Sequence, residues 1–127
     1  MQKKKLSCAE MDQGEEYHAE FSIPDEKINE YYELFARDRL SYVPPFLIML
    51  YSFRPLAESF SLQPGTIHAA QSFEMRSTTD KNHFRAKAVV SGKYEKRGRK
   101  YIVIGLEIFS SEGETVALSS FGFVVPN

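Results

Sequence analysis

The longest strongly apolar stretch of the chain reads Val43-Pro44-Pro45-Phe46-Leu47-Ile48-Met49-Leu50-Tyr51-Ser52-Phe53. It offers almost no polar side chain over two turns, and a helix that is apolar all round is a buried helix. Proline is favoured at a first helical position, so Pro45 predicts a helix over residues 45 to about 60. Pro55 is expected to kink or end it, and Leu50 is expected to lie in the core. A buried strand is the alternative, which the length of the segment and Pro45 disfavour.

The half of the chain after this helix alternates between apolar and polar residues, which is typical of half-buried strands. The pattern predicts four strands, at residues 66–76, 83–94, 101–109 and 115–125. Alternation in the first of them places His68 on the face opposite Phe73. Arg97-Gly98-Arg99 supplies a hairpin turn, and hairpin connections make the sheet mainly antiparallel.

Two further elements precede the central helix. Alternate apolar residues over 17–23 predict a short strand, and Pro24 with two acids after it opens a helix that fades near Asp38. A sheet with one apolar face has to cover it, and the helix at 45–60 is the all-apolar element available. The sequence therefore predicts an α+β fold, a curved antiparallel sheet wrapped around a buried central helix. Residues 1–14 are expected to form a flexible leader, and residues 15–127 a single domain.

Composition restricts the classes of function. The 127 residues carry 16 Lys and Arg against 17 Asp and Glu, and the net charge of −1 disfavours nucleic acid as a partner. The apolar stretch is too short and too rich in proline to span a membrane. One cysteine and three scattered histidines show no zinc-type ligand spacing, so no metal site is expected. A single cysteine forms no internal disulfide, which fits a cytoplasmic location.

Three short motifs resemble one known family. The segment His68-Ala69-Ala70-Gln71-Ser72-Phe73-Glu74 resembles the His-x-x-Gln-x-Phe/Tyr-Glu start of the second strand in MaoC-like dehydratase domains. Val43-Pro44-Pro45 is similar to the segment that leads into the central helix in their N-terminal-domain branch, and Gly113-Glu114-Thr115-Val116-Ala117 to that branch's final hairpin. The likeness covers residues 17 to 126 and implies the hot-dog fold.

The resemblance implies an activity and the residues that carry it. Members of this (R)-specific enoyl-CoA hydratase-like family hydrate enoyl thioesters or dehydrate 3-hydroxyacyl thioesters, using an Asp and a His in an Asp-x-Asn-Pro-x-His stretch after the first helix. Here Asp38 stands near the carboxylate position, but no Asn-Pro follows it and no histidine occurs between His18 and His68. Asp38 and His68 are therefore the candidate catalytic pair, in a chain that lacks the usual dyad.

A ligand follows from the same resemblance. The acyl chain is expected to contact a set of apolar and aromatic side chains around the central helix, namely Tyr42, Phe46, Met49, Leu50 and Phe53. The basic hairpin residues Lys96, Arg97 and Arg99 are candidates for the phosphates of coenzyme A or for a carrier protein. Coenzyme A or an acyl carrier thioester is the ligand implied, and no other cofactor is expected.

Three functions stay open at this point. The first is a hydro-lyase, a divergent hydratase or dehydratase. The second is a non-catalytic module, either a partner subunit for a catalytic hot-dog protein or a binder of acyl chains. The third is a thioesterase, for which Glu74 or Glu107 would be the base. A homodimer is expected, because an isolated curved sheet leaves the backbone groups of its edges unpaired.

Overall fold

The structure, a computed structural model, describes residues 3–35 and 42–126. The strands are β1 (Lys4–Lys5), β2 (Glu16–Ser22), β3 (Phe60–Ser61), β4 (Ile67–Met75), β5 (His83–Lys96), β6 (Arg99–Ser110) and β7 (Thr115–Val125). The helices are α1 (Asp25–Leu34), α2 (Pro45–Tyr51) and α3 (Phe53–Ser59). None of these helices is long and apolar enough to cross a membrane.

Five strands form one antiparallel sheet in the order β2-β5-β6-β7-β4. A two-residue turn joins β5 to β6, and both of its residues, Arg97 and Gly98, have positive φ angles (53° and 75°). This backbone matches the right-handed twist of the flanking strands, which explains why the hairpin closes there. β2 and β4 are the two edges of the sheet.

One face of the sheet is apolar along its central strands. Phe84 of β5, Ile104 of β6 and Phe121 of β7 are each fully buried. The helices cover this face, with Ile48 of α2 and Leu56 of α3 buried against it. The predicted α+β arrangement, a curved antiparallel sheet around a central helical segment, is confirmed.

The central helical segment is interrupted, as the presence of Pro55 predicts: α2 ends at Tyr51 and α3 begins at Phe53. Pro55 has no N–H to donate to the carbonyl of Tyr51, and its ring crowds that carbonyl, so a continuous helix is unfavourable. The segment is also not buried all round: Phe46 is 49% and Leu50 52% exposed. The prediction that Leu50 lies in the core is therefore wrong.

The prediction of a flexible leader at residues 1–14 is wrong for the part that the structure describes. β1 pairs in parallel with β3, and the side chains of Leu6 and Met11 are fully buried. Lys93 of β5 donates from Nζ to the carbonyls of Cys8 and Met11, both at 2.9 Å. We call residues 4–11 the N-terminal strap. Its two buried apolar side chains among polar neighbours were too sparse to produce a periodic signal.

We predict that the two faces of α2 differ sharply in their effect on stability. Ile48→Ala removes a fully buried side chain and should lower the free energy of unfolding by about 2–5 kcal/mol, through lost transfer energy and a cavity. Leu50→Ala, on the exposed side, should change it by no more than about 0.5 kcal/mol. Urea denaturation of both variants measures the difference, and equal losses would contradict the assigned orientation of α2.

The carboxylate of Glu15 connects the N-terminal strap to the sheet. This carboxylate accepts hydrogen bonds from Lys4 Nζ (2.7 Å), from the Tyr17 hydroxyl and from the Asp12 N–H (2.8 Å). These contacts, that with Lys4 first, lower the pKa of Glu15 from 4.5 to about 2. Because the pKa is lower in the folded state, Glu15 stabilises the fold above pH 4.5, and this contribution is lost as the pH falls through about 2.

We therefore predict acid-sensitive protection of the strap. Hydrogen-exchange protection of residues 4–11 should fall between pH 4.5 and about 2 in the natural protein. Glu15→Gln should show reduced protection already at neutral pH. Glu10→Gln is the control, because the Glu10 side chain forms no ion pair with the described residues. Protection that stays constant over this pH range would refute the role of Glu15.

Candidate functional site

A β-bulge on the edge strand sets the direction of His68. In the β4–β7 pairing, His68 lies opposite Phe123 and Ala70 lies opposite Gly122, so Ala69 is an extra residue. An extra residue reverses the alternation on one side of it. His68 consequently shares the inner face of the sheet with Gln71, and the prediction that it lies opposite Phe73 is wrong. A Cβ on Gly122 would lie 3.5 Å from Ala70 Cβ, an ordinary packing distance between these paired residues.

The inner face of β4 and the adjoining helices border an open cleft of about 330 Å³. Its lining consists of Met49 and Leu50 from α2, Phe53 from α3, and His68 and Gln71 from β4. The imidazole of His68 packs among aromatic rings, with centroid distances of 5.9 Å to Phe53, 5.6 Å to Phe121 and 5.2 Å to Phe123. The cleft is thus an apolar groove with two polar side chains along one wall.

Those two polar side chains are available for a ligand. Within residues 3–35 and 42–126, neither His68 nor Gln71 forms a side-chain hydrogen bond, and both are exposed. An imidazole can accept or donate a proton near neutral pH, and a carboxamide can donate to a carbonyl oxygen. The arrangement suits a ligand with an apolar body and a polar, carbonyl-containing head.

The predicted acyl-contacting residues do not all meet at the cleft. Met49, Leu50 and Phe53 line it. Phe46 lies one turn before Leu50 on α2 and faces the ring of Tyr31, at 6.3 Å between centroids. Tyr42 is half-buried, and its carbonyl accepts a hydrogen bond from the Tyr32 hydroxyl.

The other candidates lie apart from the cleft or outside the described residues. Asp38 falls in 36–41, which the structure does not describe. Lys96, Arg97 and Arg99 are all exposed at the β5–β6 turn. The N–H of Leu47, in the first turn of α2, donates to the Pro44 carbonyl at 3.0 Å and is therefore not free to bind a thioester oxygen.

Gln71 is the site residue that sequence reasoning did not single out. A signal was present: its neighbours on the same face of the strand, Phe73 and Met75, are apolar and half-buried. A carboxamide between apolar side chains on one face of a strand either forms hydrogen bonds with buried groups or lies at the edge of a cavity. The cleft shows that Gln71 borders an opening.

A larger concavity, of about 540 Å³, lies on the opposite, outer face of the sheet. It is bordered by charged side chains from β2 and β5, several of which pair with one another. Lys87 lies 3.8 Å from a carboxylate oxygen of Glu16 and 3.7 Å from one of Glu107, and His83 lies 3.8 Å from Glu20. Because several of these charges already pair with one another, whereas the smaller cleft has an apolar floor and two polar side chains without partners among the described residues, the cleft is the better candidate site.

An antiparallel five-stranded sheet curved over a central helical segment defines a hot-dog fold protein, as the sequence predicted. The R-hydratase PhaJ1 from Pseudomonas aeruginosa is similar in structure, with a TM-score of 0.75 at 15% identity over 98% of this chain and 88% of that chain. So is a MaoC-like dehydratase from Rhodospirillum rubrum, with a TM-score of 0.73 at 17% identity over 91% of this chain and 92% of that one. The predicted resemblance to MaoC-like dehydratases is confirmed.

A third similar structure is that of the HadBC (3R-hydroxyacyl-ACP dehydratase) complex from Mycobacterium tuberculosis. Its TM-score is 0.64 at 12% identity, over 88% of this chain and 96% of that chain. Thioesterases are also among the solved structures of similar fold. No protein-family model matches the sequence, and no curated protein matches it. At these identities the likeness establishes the fold, and the activity has to be argued from the cleft.

Proposed function

We propose that the protein is a cytoplasmic, MaoC-like hot-dog protein that binds acyl thioesters in the cleft between α2, α3 and β4. One observation carries the proposal: Met49, Leu50 and Phe53 form an apolar floor beside the polar side chains of His68 and Gln71, which have no hydrogen-bond partner within residues 3–35 and 42–126. An acyl chain would remove this apolar floor from water, at about 25 cal/mol per Å² buried. The thioester carbonyl would lie at the polar wall, within reach of the Gln71 amide.

The proposed chemistry is hydration or dehydration next to the thioester. His68 would exchange a proton with the acyl chain or with water, a role that typically contributes about 10²–10⁴-fold in rate. Asp38 is the proposed second group, on the strength of its position after the first helix in the sequence. Similar folds in an R-hydratase and a MaoC-like dehydratase support this reaction class.

The basic hairpin is the proposed contact for the phosphates of coenzyme A or for a carrier protein. Arg99 belongs to β6, two strands from β4, which is about 10 Å across the sheet. Along β6, Arg99 lies three residues from Ile102. Ile102 pairs with Phe123 of β7, and Phe123 pairs with His68 of β4, so Ile102 and His68 lie at the same level of the sheet. The offset along β6 is about another 10 Å, so the cations are separated from the cleft by a distance that an extended pantetheine arm must bridge.

The alternative is a non-catalytic role, as an acyl-chain binding module or as the partner of a catalytic hot-dog subunit. The absence of the Asp-x-Asn-Pro-x-His stretch from the sequence favours it. HadBC, one of the similar structures, is a complex. Binding without turnover is the behaviour that separates this role from a hydro-lyase.

We predict that acyl-CoA thioesters bind and that any turnover depends on His68 and Asp38. With a panel of enoyl-CoA and 3-hydroxyacyl-CoA substrates, His68→Ala and Asp38→Asn should each lower the rate by at least about 10²-fold. His18→Ala is the matched control, because His18 lies on the outer face of β2. Acyl-CoA binding, measured by calorimetry, should survive both site substitutions but be lost in Leu50→Arg, which fills the cleft from an exposed position.

Binding with no turnover in the natural protein would establish the alternative role. If no acyl thioester binds or raises the melting temperature, the proposed function is wrong. Turnover that persists unchanged in both His68→Ala and Asp38→Asn would place the chemistry elsewhere.

We further propose that two copies of the chain associate through β4. β4 is an edge strand, and its residues from Ile67 to Ser72 are exposed on both faces. Its outer row of backbone groups is unpaired within the described chain, which makes it a template for another strand. Exposed Ile67 lies on β4, and contact with a second copy would remove this side chain from water.

We predict that light scattering at low micromolar concentration will give a mass of two chains. Ser72→Lys should shift the mass to one chain, because it places a hydrated ammonium on the exposed edge strand where the copies meet. His18→Lys introduces the same charge on the opposite edge strand and should leave the dimer intact. A natural protein of single-chain mass would contradict the proposal.

A further inference from the structure

A small apolar void lies behind the floor of the cleft. It measures about 10 Å³ and is lined only by apolar side chains from the strap, α3, the segment after it and β7, namely Leu6, Phe53, Leu56, Ala57, Phe60, Leu62 and Phe123. Phe53 lines both the void and the cleft. Phe123 lines the void and contacts the ring of His68 on the cleft side. The cleft and the void are therefore separated by a single layer of aromatic rings.

Leu6 enters this void from the N-terminal strap. The strap lies beside α3 because Lys4 pairs with Phe60 and Lys5 with Ser61, and because the Leu6 N–H donates to the Ser61 carbonyl at 3.0 Å. Lys93 holds the following turn through its two carbonyl contacts. Leu6 is fully buried as a result. Its side chain occupies space that would otherwise continue the apolar interior behind Phe53.

We propose that Phe53 and Leu6 are two barriers in series that determine how long an acyl chain the cleft accepts. The inference rests on the proposed acyl-thioester site. Phe53 forms the inner end of the cleft in the natural protein. Leu6 forms a second end wall, which a chain reaches only when the ring of Phe53 is absent. In the natural protein Phe53 sets the length limit, and Leu6 limits only the longer cavity that opens when the ring of Phe53 is removed.

Because the two barriers lie in series, the effects of substituting Phe53 and Leu6 on the preferred chain length are expected to be non-additive. Leu6→Ala alone should leave the chain-length preference unchanged, because Phe53 still closes the cleft. Phe53→Ala should join the cleft to the void and move the preference toward longer chains. Phe53→Ala combined with Leu6→Ala should extend it further than Phe53→Ala does. Each additional methylene that leaves water should tighten binding about fourfold, which corresponds to about 0.8 kcal/mol.

Calorimetric titration with saturated acyl-CoA thioesters of increasing length measures this preference. Phe53→Ala with Met11→Ala is the matched control, because Met11 is equally buried in the strap but does not line the void. That pair should behave like Phe53→Ala alone. If Leu6→Ala loosens the strap, Leu6→Val takes its place in the Phe53→Ala background. Leu6→Val should lengthen the preferred acyl chain by a smaller amount, and hydrogen exchange checks that the strap stays protected.

The outcomes separate the two proposals. If the natural protein binds no acyl thioester of any length, the proposed function fails and the length limit fails with it. If acyl thioesters bind, but adding Leu6→Ala or Leu6→Val to Phe53→Ala lengthens the preference no more than adding Met11→Ala does, the role of Leu6 is wrong while the proposed function stands. A shift in the Leu6→Ala single variant would show that Phe53 is not the first barrier, and would also overturn the series arrangement.

Discussion

Covering the apolar face of the five-stranded sheet is the constraint on which the rest of the structure depends. The buried side chains of β5, β6 and β7 present a continuous apolar surface, and leaving it in water would cost about 25 cal/mol per Å². α2 and α3 cover its centre, while the N-terminal strap inserts Leu6 and Met11 alongside them. β4, at the edge, is left partly uncovered. The cleft exists because the covering elements stop short of this strand.

Two local irregularities of the backbone lie beside this uncovered edge strand. Pro55 forces a break between α2 and α3, and buried Ser52 at the break donates from its hydroxyl to the Met49 carbonyl at 2.6 Å. Leu50 before the break and Phe53 after it both line the cleft floor. The bulge at Ala69 then brings His68 to the same side. Without that bulge, the histidine and Gln71 would point to opposite faces of the sheet.

The cleft and its surroundings are consistent with binding more directly than with catalysis. An apolar floor beside two polar groups that have no partner among the described residues suits a ligand with an apolar body and a carbonyl head. Catalysis needs a second proton-transferring group placed beside the first, and Asp38 is the candidate in the sequence. The solved structures of similar fold include both hydratases and thioesterases, which shows that this architecture accommodates more than one chemistry.

The sequence by itself determined the order of the five strands of the main sheet, their antiparallel pairing, the helical segment at 45–60 and the hairpin at Arg97-Gly98, because periodicity, proline and glycine act locally. It also determined that Met49, Leu50 and Phe53 belong near one another. Only the tertiary structure decided which of these side chains are buried, since Leu50 and Ile48 are equally apolar and differ only in which side of α2 the sheet covers. It likewise decided on which face of the sheet His68 lies, and that Leu6 and Met11 of the strap are buried. Those depend on one extra residue in a strand pairing and on contacts between residues far apart in the chain, as between Lys93 and Met11, which no local pattern encodes.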